Sequence, residues 1–373
     1  MHKVLFLVLL ITSVCLSYTK IYVGCEDKGL ADGLNPQNCR NYLDQSLWKS
    51  VNEELKKNDV RVVFVAGIYD KGGLILNGIG NTQNHVTIGG EQENTVKFCS
   101  DTSSLLRFGG CTNIAVENFD FTGPATGYCF AIGRDKDNIP SSDITVSHCH
   151  FYDLPDLFYG CFGSHYGSTN VVLSDCTFKN TGSDIYCHQV YNSYGSKYMH
   201  IINCHFEDNA GSYVRYRDGA DYGIIAGNTF VSTGRSKNYG KREIFLELSA
   251  YSLKENYNEI FATHFWITNN TFKFSEKESD IRYGMRIHHT GFNPEGRKHL
   301  MSGEEGEILE GEDSFAKKKL LLENCHIDTD KINFRNNTWI NEDWKVGFMS
   351  GKGKAPHDGW EGRVDITNLF KFE

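Results

Sequence analysis

One short phrase recurs through most of this chain: two or three apolar residues, a polar step, then Asn or Cys, one further residue, and Phe. It reads VENFDF at Val116–Phe121, ITVSHCHF at Ile144–Phe151, VVLSDCTF at Val171–Phe178, HIINCHF at His200–Phe206, IIAGNTF at Ile224–Phe230 and WITNNTF at Trp266–Phe272. With Ile in place of Phe it returns as LLLENCHI at Leu320–Ile327. From Phe121 the steps are 30, 27, 28, 24, 42 and 55 residues. A repeat of this size is one supersecondary unit stacked on copies of itself. Short alternating strands, turns rich in Asn, Gly and Asp, and only 6 Pro in 373 residues point to a β-solenoid rather than a helical array. In such a fold the inward side chains are core, and chemistry falls to the outward side chains of one strand row.

One continuous repeat predicts one elongated domain. Residues 1–17 have the pattern of a secretory signal peptide: His2 and Lys3, an apolar run Val4–Val14, then Cys15 and Ser17 as small residues before a cut at Tyr18. The run is too short to span a bilayer comfortably, so a secreted, soluble protein without a membrane partner is expected. Asn269-Asn270-Thr271 and Asn336-Asn337-Thr338 are N-glycosylation acceptor patterns. The remainder, 18–373, divides into an N-terminal cap (18–60), coils (61–340) and a C-terminal cap or flank (341–373). Within the cap, 18–40 reads as an irregular entry. Leu43, Leu47, Val51 and Leu55 make Leu43–Lys56 an amphipathic helix, expected to cover the open end of the solenoid. The first strand is expected at Arg61–Gly67, and two loops interrupt the later coils, Arg235–Arg242 and Gly291–Asp313.

Twelve cysteines less Cys15 leave eleven. Cys149, Cys176, Cys204 and Cys325 all stand two residues before the repeat Phe or its Ile equivalent, where Asn228 and Asn270 stand in other coils. That predicts a stacked column of small buried residues. Cys25 with Cys39 and Cys99 with Cys111 are the candidate disulfides by position. No CxxC spacing occurs, which argues against zinc. A net charge of −9 argues against a broad nucleic-acid surface.

Each coil holds a second strand: IYCHQVY (Ile185–Tyr191), YVRYRDG (Tyr213–Gly219), EIFLELS (Glu243–Ser249) and YGMRIHH (Tyr283–His289). Period-two alternation sends Val214, Tyr216, Ile244, Leu246, Leu248, Met285 and Ile287 inward. It sends Arg215, Arg217, Glu243, Phe245, Glu247, Arg286 and His288 outward, with Tyr186 and His188 facing out beside them. Coils about 4.8 Å apart would gather His188, Tyr191, Arg215, Arg217, Glu247, Arg286 and His288 into one patch. Arg supplies paired donors for a carboxylate or sulfate, and His and Tyr can move protons. His148, His150, His205 and His326 belong to the Phe phrases, away from this row, and are read as structural.

The stretch Ile185–Gly234, with INCHF (Ile202–Phe206), YRDGAD (Tyr216–Asp221) and GNTF (Gly227–Phe230), resembles the core of right-handed parallel β-helix polysaccharide lyases, nearest the chondroitinase B and alginate lyase group. The resemblance is close over about 50 residues and extends in general architecture over perhaps 200. It implies an all-β fold, a single right-handed parallel β-helix, acting as a monomer on an acidic polysaccharide by β-elimination. Arg217 matches the family's catalytic Arg. The family's catalytic Lys has no counterpart near Tyr191–Ser193, Lys197 lies about four residues late, and Asp218 stands where the family has His. Tyr191 and His188 are therefore the candidate bases, with Lys197 as substitute. Arg215, Arg286 and His288 are candidate substrate-binding residues. Glu243 and Glu247 would hold Ca²⁺ where calcium-using members do, or pair with the arginines, which the sequence favours. Two other readings stay open. A glycoside hydrolase needs paired outward carboxylates. Asp184, Asp218 and Asp221 are available, but the Asn-Thr-Asp, Asp-Asp, His-Gly and Arg-Ile-Lys series of polygalacturonases is lacking. A non-catalytic carbohydrate-binding or matrix protein would instead show an aromatic ridge without proton carriers.

Overall fold

A computed structural model describes residues 18–235 and, beyond them, 243–250, 252–253, 257–258, 262, 265–276, 282–289, 332–341, 346–350 and 371–372, several of the last as backbone alone. The leader 1–17, residues 236–242 of the first loop, the loop 291–313, the phrase 320–327 with Cys325 and His326, and most of 341–373 lie outside the described residues.

The chain winds as a parallel β-solenoid of three sheets, of twelve, nine and nine strands. Within the coils each strand pairs with its counterpart one coil away, so successive strands in the chain belong to different sheets. The twelve-stranded sheet carries the apolar pairs of the repeat, with Ile144 beside Val171 and Val146 beside Leu173. The second sheet carries the phenylalanines in register: Phe98, Phe121, Phe151, Phe178, Phe206, Phe230 and Phe272. Their rings stack face to face, with centroids 4.5 Å apart at Phe151–Phe178 and 4.9 Å at Phe178–Phe206. The third sheet runs through Tyr128–Gly133, Gly160–Ser164, His188–Asn192, Val214–Arg217, Glu243–Ala250 and Arg282–His289.

The polar part of the repeat makes the corner between the first two sheets. Asn118, His148, Asp175, Asn203, Gly227, Asn269 and Asn336 all take positive φ there, between 51° and 68°. One left-handed residue turns the chain sharply, which Asn, Asp and Gly adopt at least cost. The next residue is the buried column foreseen from the sequence: Cys149, Cys176, Cys204, then Asn228 and Asn270. The Cys204 thiol lies 3.6 Å from the Leu173 carbonyl of the preceding coil. In the next coil the Asn228 amide donates to the equivalent Ile201 carbonyl at 2.9 Å, and Asn270 and Asn337 repeat the bond to Ile225 and Ile267.

Three expectations are corrected. Tyr18–Gly24 is not part of an irregular entry but a strand paired in parallel with Asp59–Phe64, which precedes the expected start at Arg61 by two residues. Phe245 points inward, against Tyr213, Phe230, Phe272 and Phe274. Ile244, Phe245 and Leu246 are all buried, so simple alternation fails within the strand Glu243–Ala250. Cys25, Cys39, Cys99 and Cys111 are free thiols, not two disulfides. The amphipathic helix spans Gln45–Leu55, capped by the Asp44 carboxylate on the Ser46 amide, and buries Leu47, Trp48, Val51 and Leu55. Asn52 and the Leu55 carbonyl tie it to the turn at 78–84.

Candidate functional site

The outward face of the third sheet carries a cleft of about 480 Å³. Register builds its floor. Gly163 pairs with Tyr191, Tyr191 with Arg215, and Arg215 with Glu247, which pairs with Arg286. Five successive coils therefore place one residue each in a single outward column. Glycine at 163 is required by the fold of the site. A Cβ there would lie 2.3 Å from His165 Nε2, so the His165 ring occupies the space over that backbone.

Beneath the cleft runs a buried chain of polar groups. Arg286 donates to Glu247 at 2.6 Å, and Arg215 lies 3.5 Å from the other Glu247 oxygen. Arg215 also donates to Ser249 Oγ and to His188 Nε2, both at 2.8 Å. The far nitrogen of His188 faces Ser212. Arg215 and Arg286 thus share the Glu247 carboxylate under the floor. His188 is held well below the usual imidazole range, first by burial and then by the Arg215 charge.

The surface above is formed by Tyr191, Arg217 and His165. Arg217 donates to the Tyr191 phenol oxygen at 2.7 Å. The Arg215 guanidinium packs against the Tyr191 ring, its centre 5.2 Å from the ring centroid. His165 Nδ1 meets Ser193 Oγ at 2.7 Å, whereas its Nε2 is buried and has no hydrogen-bond partner. Burial, and then Arg217, bring the His165 imidazole down to about 3, so it is neutral near pH 7.

The walls are aromatic. Tyr128 stacks on Tyr159 on one side, and Tyr166 stacks on Tyr194 on the other. Rings that stack on one another present their edges to whatever lies beside the stack, and an aromatic edge is the positive part of the ring quadrupole. Among the described residues that line the cleft there are two arginines and no Asp or Glu.

The structure brings together Tyr191, Arg215 and Arg217 as lining residues, with His188 directly below. It separates others. Lys197 lies on the twelve-stranded sheet, its ammonium 5.9 Å from the Tyr222 ring, and does not enter the cleft. Arg286 is buried against Glu247 rather than presented to a ligand. His288 has its backbone on the third sheet, opposite Ser249, and its side chain lies outside the described residues. Glu243 and Glu247 do not fit a shared Ca²⁺. Glu243 accepts the Ser275 amide, and Glu247 faces two guanidiniums whose charge a cation would oppose. Among the described residues no three His, Cys, Asp or Glu side chains are arranged to hold a metal.

His165, Tyr128, Tyr159, Tyr166 and Tyr194 were not singled out from the sequence. A signal was present: SHYG (Ser164–Gly167) and NSYG (Asn192–Gly195) lie 28 residues apart, the same step as Phe178 to Phe206.

Solved structures similar to this chain include polysaccharide lyases and a pectin methylesterase. An alginate lyase from Paenibacillus sp. str. FPU-7 aligns over 89% of this chain and 99% of its own, at 10% identity and a TM-score of 0.46. An ι-carrageenase complexed to ι-carrageenan fragments aligns over 95% and 97%, at 10% identity and a TM-score of 0.46. PfbA, a surface adhesin of Streptococcus pneumoniae, aligns over 81% and 86%, at 12% identity and a TM-score of 0.38. No protein-family model and no curated protein sequence matches the chain. The fold rests on the strand ladders described above, and function on the side chains of the cleft.

Proposed function

We propose that the cleft binds an acidic, uronate-containing polysaccharide and cleaves it by β-elimination. The observation that carries this reading is the Arg217–Tyr191 contact of 2.7 Å, in a recess with no carboxylate among its described lining residues. A hydrolase would need two carboxyl groups there. A purely adhesive face would not need a guanidinium aimed at a phenol oxygen.

The C5 proton of a uronate is weakly acidic because removing it puts a second negative charge on the sugar carboxylate. Arg217, with the Arg215 guanidinium beside it, stabilises that charge as it develops. In the reactive form the Tyr191 oxygen is deprotonated, its charge held by the Arg217 N–H aimed at it, and it takes the C5 proton. The C5–H electron pair forms the C4–C5 double bond, the C4–O bond breaks, and the leaving oxygen takes the proton from Tyr191, which returns the phenol oxygen to its starting state. His165, whose Nε2 is buried, is a positioning residue packed against the Tyr191 ring.

His188 is a positioning residue in this reading, because both its nitrogens are engaged. Right-handed winding of the coils agrees with the general rule for parallel crossovers. Export agrees with the leader pattern in residues 1–17 and with a polymeric substrate.

The test is incubation of the purified chain with polymannuronate, polyguluronate, polygalacturonate, glucuronan, and chondroitin and dermatan sulfates. Elimination generates the ultraviolet absorbance of a conjugated, unsaturated uronate, and the signal should vanish in Tyr191→Phe. New reducing ends without that absorbance would replace elimination by hydrolysis. Binding without either product would leave a carbohydrate-binding protein.

A further inference from the structure

The Tyr166–Tyr194 wall continues beyond the cleft and ends in a second cation. Arg134 is exposed, and its guanidinium lies 4.6 Å from the Tyr166 ring centroid. Tyr166 stacks on Tyr194 at 4.8 Å and 6°. Arg217 lies 5.6 Å from the Tyr194 ring on the cleft side. These four residues come from four successive coils, following or ending the strands Tyr128–Gly133, Gly160–Ser164, His188–Asn192 and Val214–Arg217. The row Arg134, Tyr166, Tyr194, Arg217 therefore runs along the solenoid axis over three coil rises, about 14 Å.

Both tyrosines hold left-handed backbone, with φ of 56° and 55°. At other corners of this solenoid that conformation falls mainly to Asn, Asp and Gly, and also to Tyr198 and Tyr222, which stack on each other beside Lys197. A bulky side chain held there costs about 1–3 kcal/mol. Tyr166 and Tyr194 carry an unbroken row of rings from one guanidinium to the other.

We propose that Arg134 is a second anion subsite for the same polymer. The cleft then recognises a chain with acid groups recurring along its length, one held at Arg217 and another, a few sugars away, at Arg134. Tyr166 and Tyr194 line the path between them with hydrogen-bonding hydroxyls. The inference rests on the reading of the cleft as a polyuronate site and adds a direction: substrate lies parallel to the solenoid axis and extends from the reacting centre toward the earlier coils.

The experiment is calorimetric titration of the full chain with oligomannuronates and oligogalacturonates from disaccharide to octasaccharide. Affinity should rise in a step at the length that first spans both arginines. In Arg134→Gln the step should disappear, a loss of about three- to ten-fold for long oligomers, while disaccharide affinity stays unchanged. Arg217→Gln should weaken every length. A step that persists in Arg134→Gln, or the lack of any step while Arg217→Gln still weakens binding, overturns the Arg134 subsite and leaves the cleft reading standing. Failure of every oligomer to bind overturns both.

Discussion

His188 Nε2 lies 2.8 Å from Arg215 Nη1, and because a guanidinium only donates, the imidazole must accept. Its single proton is therefore on Nδ1, directed at Ser212, whose carbonyl is 3.1 Å away. The cluster beneath the cleft is thus built for a neutral histidine. Protonating it would set an imidazolium against a guanidinium within a buried network. His165, one coil earlier and above the floor, is also neutral, with Arg217 as its charged neighbour.

Acid sensitivity follows from these two residues. Each has a folded-state pKa below the unfolded value of about 6.5, so the unfolded chain binds more protons as pH falls. The stability that the neutral forms contribute is present above about pH 6.5 and is lost as pH falls below it, for His165 down to about 3. Each histidine steepens the fall by up to about 1.4 kcal/mol per pH unit. Denaturant unfolding measured across this range should show the decline starting well above the carboxylate range. His165→Gln should flatten the slope by about one proton. A stability profile level down to about pH 4 would contradict the neutral assignments.

Activity variants separate the cleft from the candidates that the fold placed elsewhere. Tyr191→Phe keeps the ring against Arg215 and removes only the hydroxyl. It should lower kcat by about a hundred- to ten-thousand-fold with little change in KM. Arg217→Lys keeps the charge and loses the planar fork, and should lower kcat/KM by about a hundred-fold. Lys197→Ala, on the other sheet, should stay within about two-fold of the native chain, since this half-buried cation does not line the cleft. Steady-state kinetics on the best polymer decides all three, and a large loss in Lys197→Ala would place the reacting centre on the wrong sheet.

Much of this architecture was legible in the sequence because the repeat writes each structural role in a fixed place. Asn203, Cys204 and Phe206 are a corner, a column and a core ring, and the same order recurs with Asp175, Cys176 and Phe178. The two glycosylation patterns belong to the same grammar: Asn269 and Asn336 are exposed corners, and Asn270 and Asn337 are ladder residues. Outward alternation placed Arg215 correctly, yet it could not reveal that an outward residue of this sheet is buried. The walls that cover it come from loops one and two coils away, where Tyr166 and Tyr194 break the preference for Asn and Gly. Alternation failed at Phe245, inside the strand Glu243–Ala250, where the ring packs on Phe230 and Phe272 of the second sheet. Pairing cysteines by position failed because the Cys39 and Cys111 thiols face the Glu26 and Leu76 carbonyls instead of a second sulfur.

Thiol chemistry should report the buried cysteines directly. Burial pushes the Cys129, Cys176 and Cys187 thiols far up and the Cys161 thiol to about 12, so they carry almost no thiolate at neutral pH. In the native protein a thiol reagent should modify the half-buried Cys25 and Cys99 first, and leave these buried thiols unmodified until the chain unfolds. Peptide mapping after brief alkylation identifies the sites. Stability should not change with reductant, and a drop in denaturation midpoint on reduction would show a disulfide.

The asparagine ladder should be the costliest polar feature of the fold to interrupt. Asn228 accepts the Cys204 amide at 2.8 Å and donates to the Ile201 carbonyl at 2.9 Å, while Asn270 Oδ1 accepts both the backbone and side-chain N–H of Asn228. Removing that side chain leaves a buried donor and a buried acceptor of the preceding coil without partners, at about 1–3 kcal/mol each. Asn228→Ala should therefore cost about 2–5 kcal/mol. Asn228→Cys restores the thiol used at Cys204, a weak donor for the carbonyl but not an acceptor matched to the amide, and should recover part of the loss. Asn269→Ala, at an exposed left-handed corner, should cost only about 1–2 kcal/mol. In a solenoid each coil is held by its neighbours, so the Asn228 defect weakens the interface with the preceding coil and its effect spreads along the stack. Urea unfolding of the three variants beside the native chain gives the order. If Asn228→Ala costs no more than Asn269→Ala, the ladder is not what joins these coils.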